Sequence, residues 1–215
     1  MKCVVTAGPT YEELDEVRRL TNFSTGALGS GLADYLAGLG HEVELLTGYY
    51  STCPPAARAQ RRQTFTTTGD LRRRLAALAS PEVGAVFHAA AVSDFTFGKI
   101  WEHTAEGELR EVQSAKIPTR AERLLAELKP TPKIIRELRG WFPKAFLAGW
   151  KYELEGPGQA LERAWSQMKE CQTNVCVVNG RGYSPDGFGL LEQDGTVTRL
   201  QDKAALFSAL AMHLR

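Results

Sequence analysis

The hydrophobic pattern alternates short apolar runs, rich in β-branched residues, with longer segments in which apolar residues recur every three or four positions. This alternation is typical of βαβ units and a parallel sheet. The runs that predict strands are Val4–Thr6, Val43–Leu46, Gln63–Thr67, Ala85–Ala90, Ala145–Gly149 and Asn174–Val178. The segments that predict helices are Ser24–Leu39, Asp70–Leu78, Gln159–Glu170 and Lys203–Leu214. The fold class predicted is α/β, a Rossmann-like, mostly parallel sheet with helices on both faces.

Two parts of the chain depart from this alternation. Gly189–Val197 predicts a hairpin with Asp194–Gly195 at its turn, which precedes the C-terminal helix. Residues 96–118 show no clear period, which indicates a long loop or a β-excursion, and a segment of that length in a compact domain is often functional. The length of 215 residues fits one large α/β domain, so residues 1–215 are predicted to form a single domain.

The composition is that of a globular protein in water, with 43% hydrophobic and 24% charged residues. Lys plus Arg number 26 against 25 for Asp plus Glu, so the net charge favours neither nucleic acid nor a membrane surface, and an anionic ligand must be bound locally. No apolar run approaches the ~18 residues that span a bilayer. Only Lys2 and Cys3 lie between Met1 and the first predicted strand, so we expect no targeting segment and a cytoplasmic location.

The cysteines and histidines indicate structural rather than metal-binding roles. The four cysteines contain no CxxC pair, which favours reduced, structural thiols. The histidines have no metal-ligand spacing with one another or with the cysteines, so no metal site is predicted in the chain. His88 lies in an apolar run, where a core histidine with its hydrogen bonds satisfied is the favoured interpretation.

A candidate anion site lies at the start of the first predicted helix, in the pattern Asn22-x-Ser24-Thr25-Gly26-x-x-Gly29-x-Gly31. Ser and Thr can cap free N–H groups, Gly lets the backbone approach a ligand, and the helix N-terminus favours negative charge. The pattern therefore fits phosphate or carboxylate binding. A plain capped helix, with glycines present for packing, is the alternative.

Several familiar motifs are absent from the sequence. There is no GxGxxG directly after the first strand and no GxxxxGK[ST], so neither a standard dinucleotide fingerprint nor a P-loop is present. No tyrosine has a lysine four residues later, which weakens a hydride-transfer function. A nucleophilic serine elbow, GxSxG, is also missing.

Two further charged residues are candidates for chemistry. Asp94 follows a predicted central strand, where open parallel sheets bind their ligands, although a surface aspartate that caps a turn fits equally well. Lys116, in an irregular segment, could stabilise charge that develops during phosphoryl or adenylyl transfer. Most loop lysines have no such role.

Several motifs in order resemble the phosphopantothenoylcysteine synthetase family. Val4–Thr10 resembles that family's opening strand and TAGGT-type turn, and Asp15–Gly26 resembles its DPVR-x-x-SN-x-SSG segment. The remaining matches are Ala89–Phe95 for AAVxDF/Y, Lys116-Ile117, Gly149–Glu153 for GFxxE, and Val177–Asn179 for the AN(D) strand end. The resemblance covers nearly the whole chain.

The resemblance implies a Rossmann-like dimer that joins 4′-phosphopantothenate to cysteine in coenzyme A biosynthesis. An acyl-nucleotide forms from CTP or ATP with Mg²⁺, pyrophosphate leaves, and the cysteine amine then displaces the nucleoside monophosphate. The implied catalytic residues are Asn22, which would bind the acyl group, and Lys116, which would offset charge. The implied phosphopantothenate-binding residues are Arg18, Asn22, Ser24, Thr25 and Gly26. The implied nucleotide-binding residues are Gly8, His88, Ala89, Ala90, Asp94, Pro132, Ile134, Ile135, Trp150 and Lys169.

The chain also departs from the family pattern. The family usually has Lys-x-Lys-Lys where this chain has Lys116-Ile117-Pro118-Thr119-Arg120, so only the first lysine is matched. The family also usually has two phosphate-binding lysines in the segment that corresponds to Gln167–Cys171, where only Lys169 could substitute for them. Ala27 replaces a common Lys or Arg, and Gly180 a frequent Asp. These changes leave open whether CTP or ATP is used, and two alternatives: an inactive nucleotide-binding or regulatory homologue, or an NAD(P)-dependent reductase. The chain begins at the synthetase's first strand, without the flavin decarboxylase domain often fused ahead of it, so no bound flavin is expected.

Overall fold

A computed structural model describes residues 1–54, 56–104, 107–117 and 123–214. The strands are β1 Lys2–Ala7, β2 Tyr11–Glu13, β3 Arg19–Thr21, β4 Glu42–Gly48, β5 Arg61–Phe65, β6 Val83–His88, β7 Phe95–His103, β8 Leu109–Glu111, β9 Arg123–Pro130, β10 Phe146–Tyr152, β11 Val175–Gly180, β12 Ser184–Glu192 and β13 Val197–Leu200. The helices are α1 Ala27–Gly38, α2 Thr68–Ala77, α3 Ile134–Trp141, α4 Pro157–Cys171 and α5 Lys203–Met212.

The central sheet has eight strands in the order β13-β12-β11-β10-β6-β1-β4-β5. The strands from β5 to β11 in this order are parallel, and the hairpin β12–β13 adds antiparallel strands at one edge. The chain builds outward from β1 to β4 and β5, then crosses back to β6 on the other side of β1. This order creates a switch point between the carboxyl ends of β1 and β6, where open α/β sheets bind ligands.

Two apolar layers cover the central sheet because successive residues of a strand point to opposite faces. On β1, Val5 packs with α1 and α5, whereas its neighbour Val4 packs with α2 and α3. Helix α4 covers β11 and β12 through Ala160, Ala164 and Met168. The α/β fold class, the mostly parallel sheet and the C-terminal hairpin with its helix are confirmed.

The segment predicted as a loop or β-excursion contains strands. β7 and β8 form a separate antiparallel sheet of order β8-β7-β9, and β9 lies in a part of the chain for which no element was predicted. Residues 105, 106 and 118 of the predicted segment lie outside the described residues, as does Arg120. Helix α3 was also not predicted.

The first helix begins later than the sequence pattern indicated. α1 starts at Ala27, because Gly26 has the left-handed φ of 80° and ends the extended segment before it. The prediction that the helix begins at Ser24 is therefore wrong by three residues. Among the described helices, none has both the length and the apolar character needed to cross a bilayer.

Candidate functional site at the sheet switch point

The turns that follow β1 and β6 are tied together at the switch point. Ala91 donates its N–H to the Gly8 carbonyl at 2.9 Å, and its own carbonyl accepts the N–H of Thr10 at 3.1 Å. Gly8 has a φ of 82°, and a Cβ there would lie 1.8 Å from Ser51 Oγ. Glycine is therefore required at this turn, both for its backbone conformation and for the space it leaves.

His88 lies at the carboxyl end of β6, beside the same turn. Its Nδ1 is 2.9 Å from Thr6 Oγ1, and that hydroxyl accepts the N–H of Ala90 at 3.1 Å. Burial lowers the pKa of the imidazole to about 4, so His88 is neutral at physiological pH. The side chain thus packs and bonds within the protein, while Ala89 and Ala90 carry the backbone out of the strand at the crevice.

Asn22 reaches this crevice from the segment that follows β3. Its Nδ2 donates to the Ala91 carbonyl at 3.0 Å, and Thr21 Oγ1 donates to the Thr10 carbonyl at 2.9 Å. The structure therefore brings Asn22 to the end of β6, as the predicted site requires. The residue is exposed, so its amide is accessible to a ligand.

The start of α1 faces the turn that contains Gly8. Thr25 does not cap the helix as predicted: its Oγ1 accepts only the N–H of Ala27, at 3.3 Å, and Gly26 occupies the cap position without a side-chain bond. Ser24 is half-buried and likewise provides no helix cap. No acidic residue lies in the first turn, so the helix dipole is left available to an anion. Ser51 Oγ is buried near Gly8 and Gly26 without a hydrogen-bond partner among the described residues.

Asp94 links the switch point to α3. Its carboxylate is paired with Lys133 Nζ, and its carbonyl accepts the N–H of Thr131 at 3.0 Å. Both side chains of the ion pair are more than half exposed. Pro132, which lies between Thr131 and Lys133, is also exposed.

A groove between α3, α4 and the end of β10 encloses about 410 Å³. Ile135, Lys151 and Gln167 line it, whereas Ile134, only 1% exposed, packs into the core. Trp150, also half-buried, has an indole Nε1 without a hydrogen-bond partner among the described residues, and its carbonyl accepts from Gln167 at 3.2 Å. The structure thus brings Ile135 to the groove and leaves Ile134 in the core.

Lys169 does not line this groove. Its Nζ lies 4.5 Å from the ring centroid of Trp165, a residue that packs with β11 and β12. The positive charges that line the groove belong instead to Lys133, Arg136, Lys151 and Arg163. The expectation that Lys169 substitutes for the missing lysines therefore gains no support from its position.

The segment that carries Lys116 is fixed to the turn between β2 and β3. Asp15 Oδ2 accepts the N–H of Ile117 at 3.1 Å, Arg18 Nη2 donates to the Ile117 carbonyl at 3.1 Å, and Glu16 donates its N–H to the carbonyl of Ala115 at 3.0 Å. Lys116 itself is exposed. Arg18 and Lys116, both predicted site residues, are therefore neighbours along this contact.

Asp15, which motif analysis did not single out, anchors the segment that carries Lys116. Burial of its carboxyl opposes ionisation, but the backbone N–H groups of Ile117, Val17 and Arg18 hold its pKa below the usual value. Its partner Ile117 lies 102 residues away in sequence, so local patterns could not reveal the bond. The acidic residue in the DPVR-like motif was the available signal.

The described residues contain no group of three or more His, Cys, Asp or Glu side chains arranged to hold a metal ion. Mg²⁺ is usually bound in proteins through one or two carboxylates together with substrate phosphates. Asp94 is an exposed carboxylate in the crevice that could contribute.

Comparisons with known proteins identify related chains. The coenzyme A biosynthesis bifunctional protein CoaBC of Thermococcus kodakarensis is 29% identical over 179 residues, which cover 83% of this chain and 41% of that protein. The Bacillus subtilis CoaBC protein is 29% identical over 185 residues, which cover 85% of this chain and 42% of the relative. The chain thus spans less than half of the length of either relative.

A solved structure extends the similarity to the whole fold. The DNA/pantothenate metabolism flavoprotein from Streptococcus pneumoniae matches with a TM-score of 0.85 and 26% identity, over 100% of this chain and 98% of that one. The family resemblance of the sequence motifs is confirmed. Because the model of the DNA/pantothenate metabolism flavoprotein C-terminal domain matches residues 1–210, the chain belongs to that family.

Proposed function

We propose that the chain joins 4′-phosphopantothenate to cysteine through an acyl-nucleotide intermediate, a step of coenzyme A biosynthesis. The observation that carries the proposal is the family match over residues 1–210. Relatives named as coenzyme A biosynthesis proteins support it. The crevice supports it as well, since it combines an exposed amide, an exposed carboxylate and a helix N-terminus, which suit catalysis by positioning and electrostatics.

The proposed reaction has two steps. A carboxylate oxygen of 4′-phosphopantothenate attacks the α-phosphorus of CTP or ATP, the bond to the β-phosphate breaks, and pyrophosphate leaves. The cysteine amine then attacks the acyl carbon and loses a proton as the amide forms. The bond between the acyl carbon and oxygen breaks, and the nucleoside monophosphate leaves with that oxygen.

The residues of the crevice have distinct proposed roles. Asn22 orients the acyl group, because its exposed amide is fixed to the Ala91 carbonyl at 3.0 Å. The start of α1, with Ser24, Thr25 and Gly26, receives the phosphate of phosphopantothenate. Lys116 offsets charge on the reacting acyl phosphate. Its neighbour Ile117 is held by hydrogen bonds to Arg18 and Asp15, which fix the segment.

The nucleotide is proposed to bind along the other side of the crevice. Gly8 and the backbone of His88 to Ala90 border it, and Asp94, Pro132 and Trp150 extend towards the groove between α3 and α4. Mg²⁺ supplies charge neutralisation of the triphosphate when bound. Pyrophosphate release measured separately with CTP and with ATP distinguishes the two nucleotides.

Homodimer formation is a further proposal. One face of the small sheet exposes large apolar side chains on β7 and β9, with exposed fractions of 48% for Phe95, 39% for Leu124 and 51% for Leu128. Apolar side chains grouped in this way favour contact with another protein surface. Light scattering during size-exclusion chromatography tests the dimer, and a monomer at micromolar concentration would contradict it.

Pyrophosphate release tests the ligase proposal directly. The purified protein is incubated with 4′-phosphopantothenate, Mg²⁺ and either CTP or ATP, with and without cysteine. We expect release that requires 4′-phosphopantothenate with at least one nucleotide. Lys116→Gln is expected to reduce the rate by a factor of roughly ten or more, whereas Lys144→Gln, which removes another exposed lysine, is the control and should keep it. No release with either nucleotide contradicts the proposal.

A further inference from the structure

The groove between α3 and α4 is lined by four cations, together with the carboxylates of Glu162 and Glu170. Lys133 and Arg136 contribute from the start of α3, Lys151 from β10, and Arg163 from α4. Gln167 and Cys171 lie on the α4 wall of the same groove, in the segment where the family resemblance would place phosphate-binding lysines. Apart from Arg163, the positive charge of the groove thus lies on α3 and β10 rather than on α4.

Two of these cations, Lys151 and Arg163, form ion pairs that stabilise the fold. Lys151 and Arg163 both pair with Glu153, at 3.4 Å and 2.8 Å, and the Glu153 side chain is only 7% exposed. Removal of these partners would leave a buried carboxylate without compensation, which is costly. Arg163 also pairs with Glu155, at 2.6 Å. These residues therefore hold the end of β10 against α4.

The other two cations are held only by exposed partners. The Lys133–Asp94 pair has side-chain exposures of 56% and 63%, and the Arg136–Glu170 pair has 60% and 55%. Exposed ion pairs contribute little free energy, about 0–1 kcal/mol each. An incoming phosphate can therefore replace the carboxylates at small cost, and the carboxylates can turn into solvent.

The spacing of Lys133 and Arg136 suits one extended anion. Lys133 is the residue that caps α3 and Arg136 follows three positions later, so both side chains project from the same side of the helix. The guanidinium of arginine can bind two phosphate oxygens at once, and lysine adds a point charge. Asp94, which follows β6, pairs with Lys133, so this end of the groove adjoins the crevice at the switch point.

We propose that Lys133 and Arg136 bind the polyphosphate of a nucleoside triphosphate in this groove, in place of lysines on α4. The inference rests on the proposed function for the identity of the nucleotide. Binding displaces Asp94 from Lys133 and Glu170 from Arg136. It also explains how the chain accommodates a triphosphate although Lys169 lies against Trp165.

Binding of inorganic tripolyphosphate tests the groove without any turnover. The rise in melting temperature is measured for the wild-type chain with Mg²⁺ and tripolyphosphate, ATP or CTP, since a ligand of the native state must stabilise it. We expect Lys133→Gln and Arg136→Gln each to weaken binding about tenfold, because each loses a charged hydrogen bond. Arg136→Lys should restore part of the loss.

Arg72→Gln is the matched control. Arg72 of α2 pairs at 2.7 Å with Glu137 of α3, the helix that begins beside Lys133 and carries Arg136. The Arg72 side chain is 47% exposed, but it does not line the groove. This variant should bind tripolyphosphate like the wild type. The melting temperature of each variant without ligand shows whether that variant is folded. If the double variant is unstable, the single variants still measure how tripolyphosphate binding depends on Lys133 and Arg136.

The outcomes separate this inference from the proposed function. Wild-type tripolyphosphate affinity in the Lys133→Gln/Arg136→Gln protein overturns the groove assignment, as does an unchanged KM for the nucleotide in an active double variant. A wild-type protein that binds no polyphosphate also overturns it. Tripolyphosphate binding that depends on these residues, in a protein that releases no pyrophosphate, supports the groove and contradicts only the ligase proposal.

Discussion

The buried imidazole of His88 predicts a specific loss of stability in mild acid. The environment of His88 lowers its pKa from 6.5 to about 4, because burial disfavours the charged ring. The folded state therefore binds fewer protons than the unfolded state between these values. The stability is complete above pH 6.5 and falls as the pH drops towards 4. Integrated linkage gives a loss of about 3 kcal/mol at the acid limit and about 2 kcal/mol at pH 5.

Urea unfolding of the wild type and His88→Met at pH 7.5 and pH 5.0 measures this contribution. Other groups also titrate in this range, but they are common to both proteins and cancel in the difference between them. At pH 7.5 the variant should be less stable than the wild type by about 1 kcal/mol, since the bond to Thr6 is lost. At pH 5.0 the order should reverse, because the difference shifts by about 2 kcal/mol in favour of the variant.

Thr6→Val is the control for this experiment. It removes the hydroxyl beside His88 Nδ1 but keeps the ring that titrates. This variant should lose stability at both pH values and retain the acid-dependent loss of the wild type. If the difference between wild type and His88→Met is the same at pH 7.5 and pH 5.0, the imidazole is not held neutral by burial and the reasoning is refuted.

Three further predictions concern the contacts that shape the site. Asp15→Ala should speed hydrogen exchange of the Ile117 amide while the amides of β1 stay protected, because the Asp15 carboxylate accepts the Ile117 N–H at 3.1 Å. Unchanged exchange would show that contacts other than Asp15 hold this segment. Gly8→Ala should lower the free energy of unfolding by about 1–2 kcal/mol or more, because alanine is strained at a φ of 82°. Adding Ser51→Gly should remove the clash between the new methyl group and Ser51 but not the backbone strain. A stability equal to that of the wild type in urea unfolding would contradict this backbone conformation. Arg139→Met should cost about 3 kcal/mol in the same assay, because its guanidinium donates to carbonyls that include those of Ala145 and Gln172, both at 2.9 Å; a loss below about 1 kcal/mol would show that these contacts contribute little.

The central sheet was predictable from sequence because its strands are buried. β1 and β6 read as short apolar runs, and both are covered by helices on their two faces. The structure places Gly8, His88 and Asp94 at or beyond the carboxyl ends of these strands, and their binding roles stay predictions. Turn chemistry at Asp194–Gly195 likewise located the C-terminal hairpin.

The small sheet was not predictable in the same way because its strands are less deeply buried than those of the central sheet. All but one residue of β9 is exposed, so no alternation of apolar and polar positions marks the strand. β7 also shifts register against β9 between Phe97 and Ile100, which breaks the period of two. Helix α3 has only eight residues, which is at the short end for helices of globular proteins.

The features of the site that sequence analysis did not predict depend on contacts remote in sequence or on one backbone angle. The left-handed φ of Gly26 moved the helix start past Ser24 and Thr25. The direction of Lys169 on α4 was decided by its contact with Trp165. The hydrogen bond from the Ile117 N–H to Asp15 joins two segments that lie 102 residues apart in the sequence.

Transfer of isotopic oxygen tests the acyl-nucleotide mechanism most directly. 4′-Phosphopantothenate labelled with ¹⁸O in its carboxylate is incubated with the protein, cysteine, Mg²⁺ and CTP or ATP, and the products are measured by mass spectrometry. The proposed reaction predicts phosphopantothenoylcysteine together with a nucleoside monophosphate that carries one ¹⁸O atom from the carboxylate. Absence of the amide product, or its formation with the label in inorganic phosphate instead of the nucleoside monophosphate, would contradict the account.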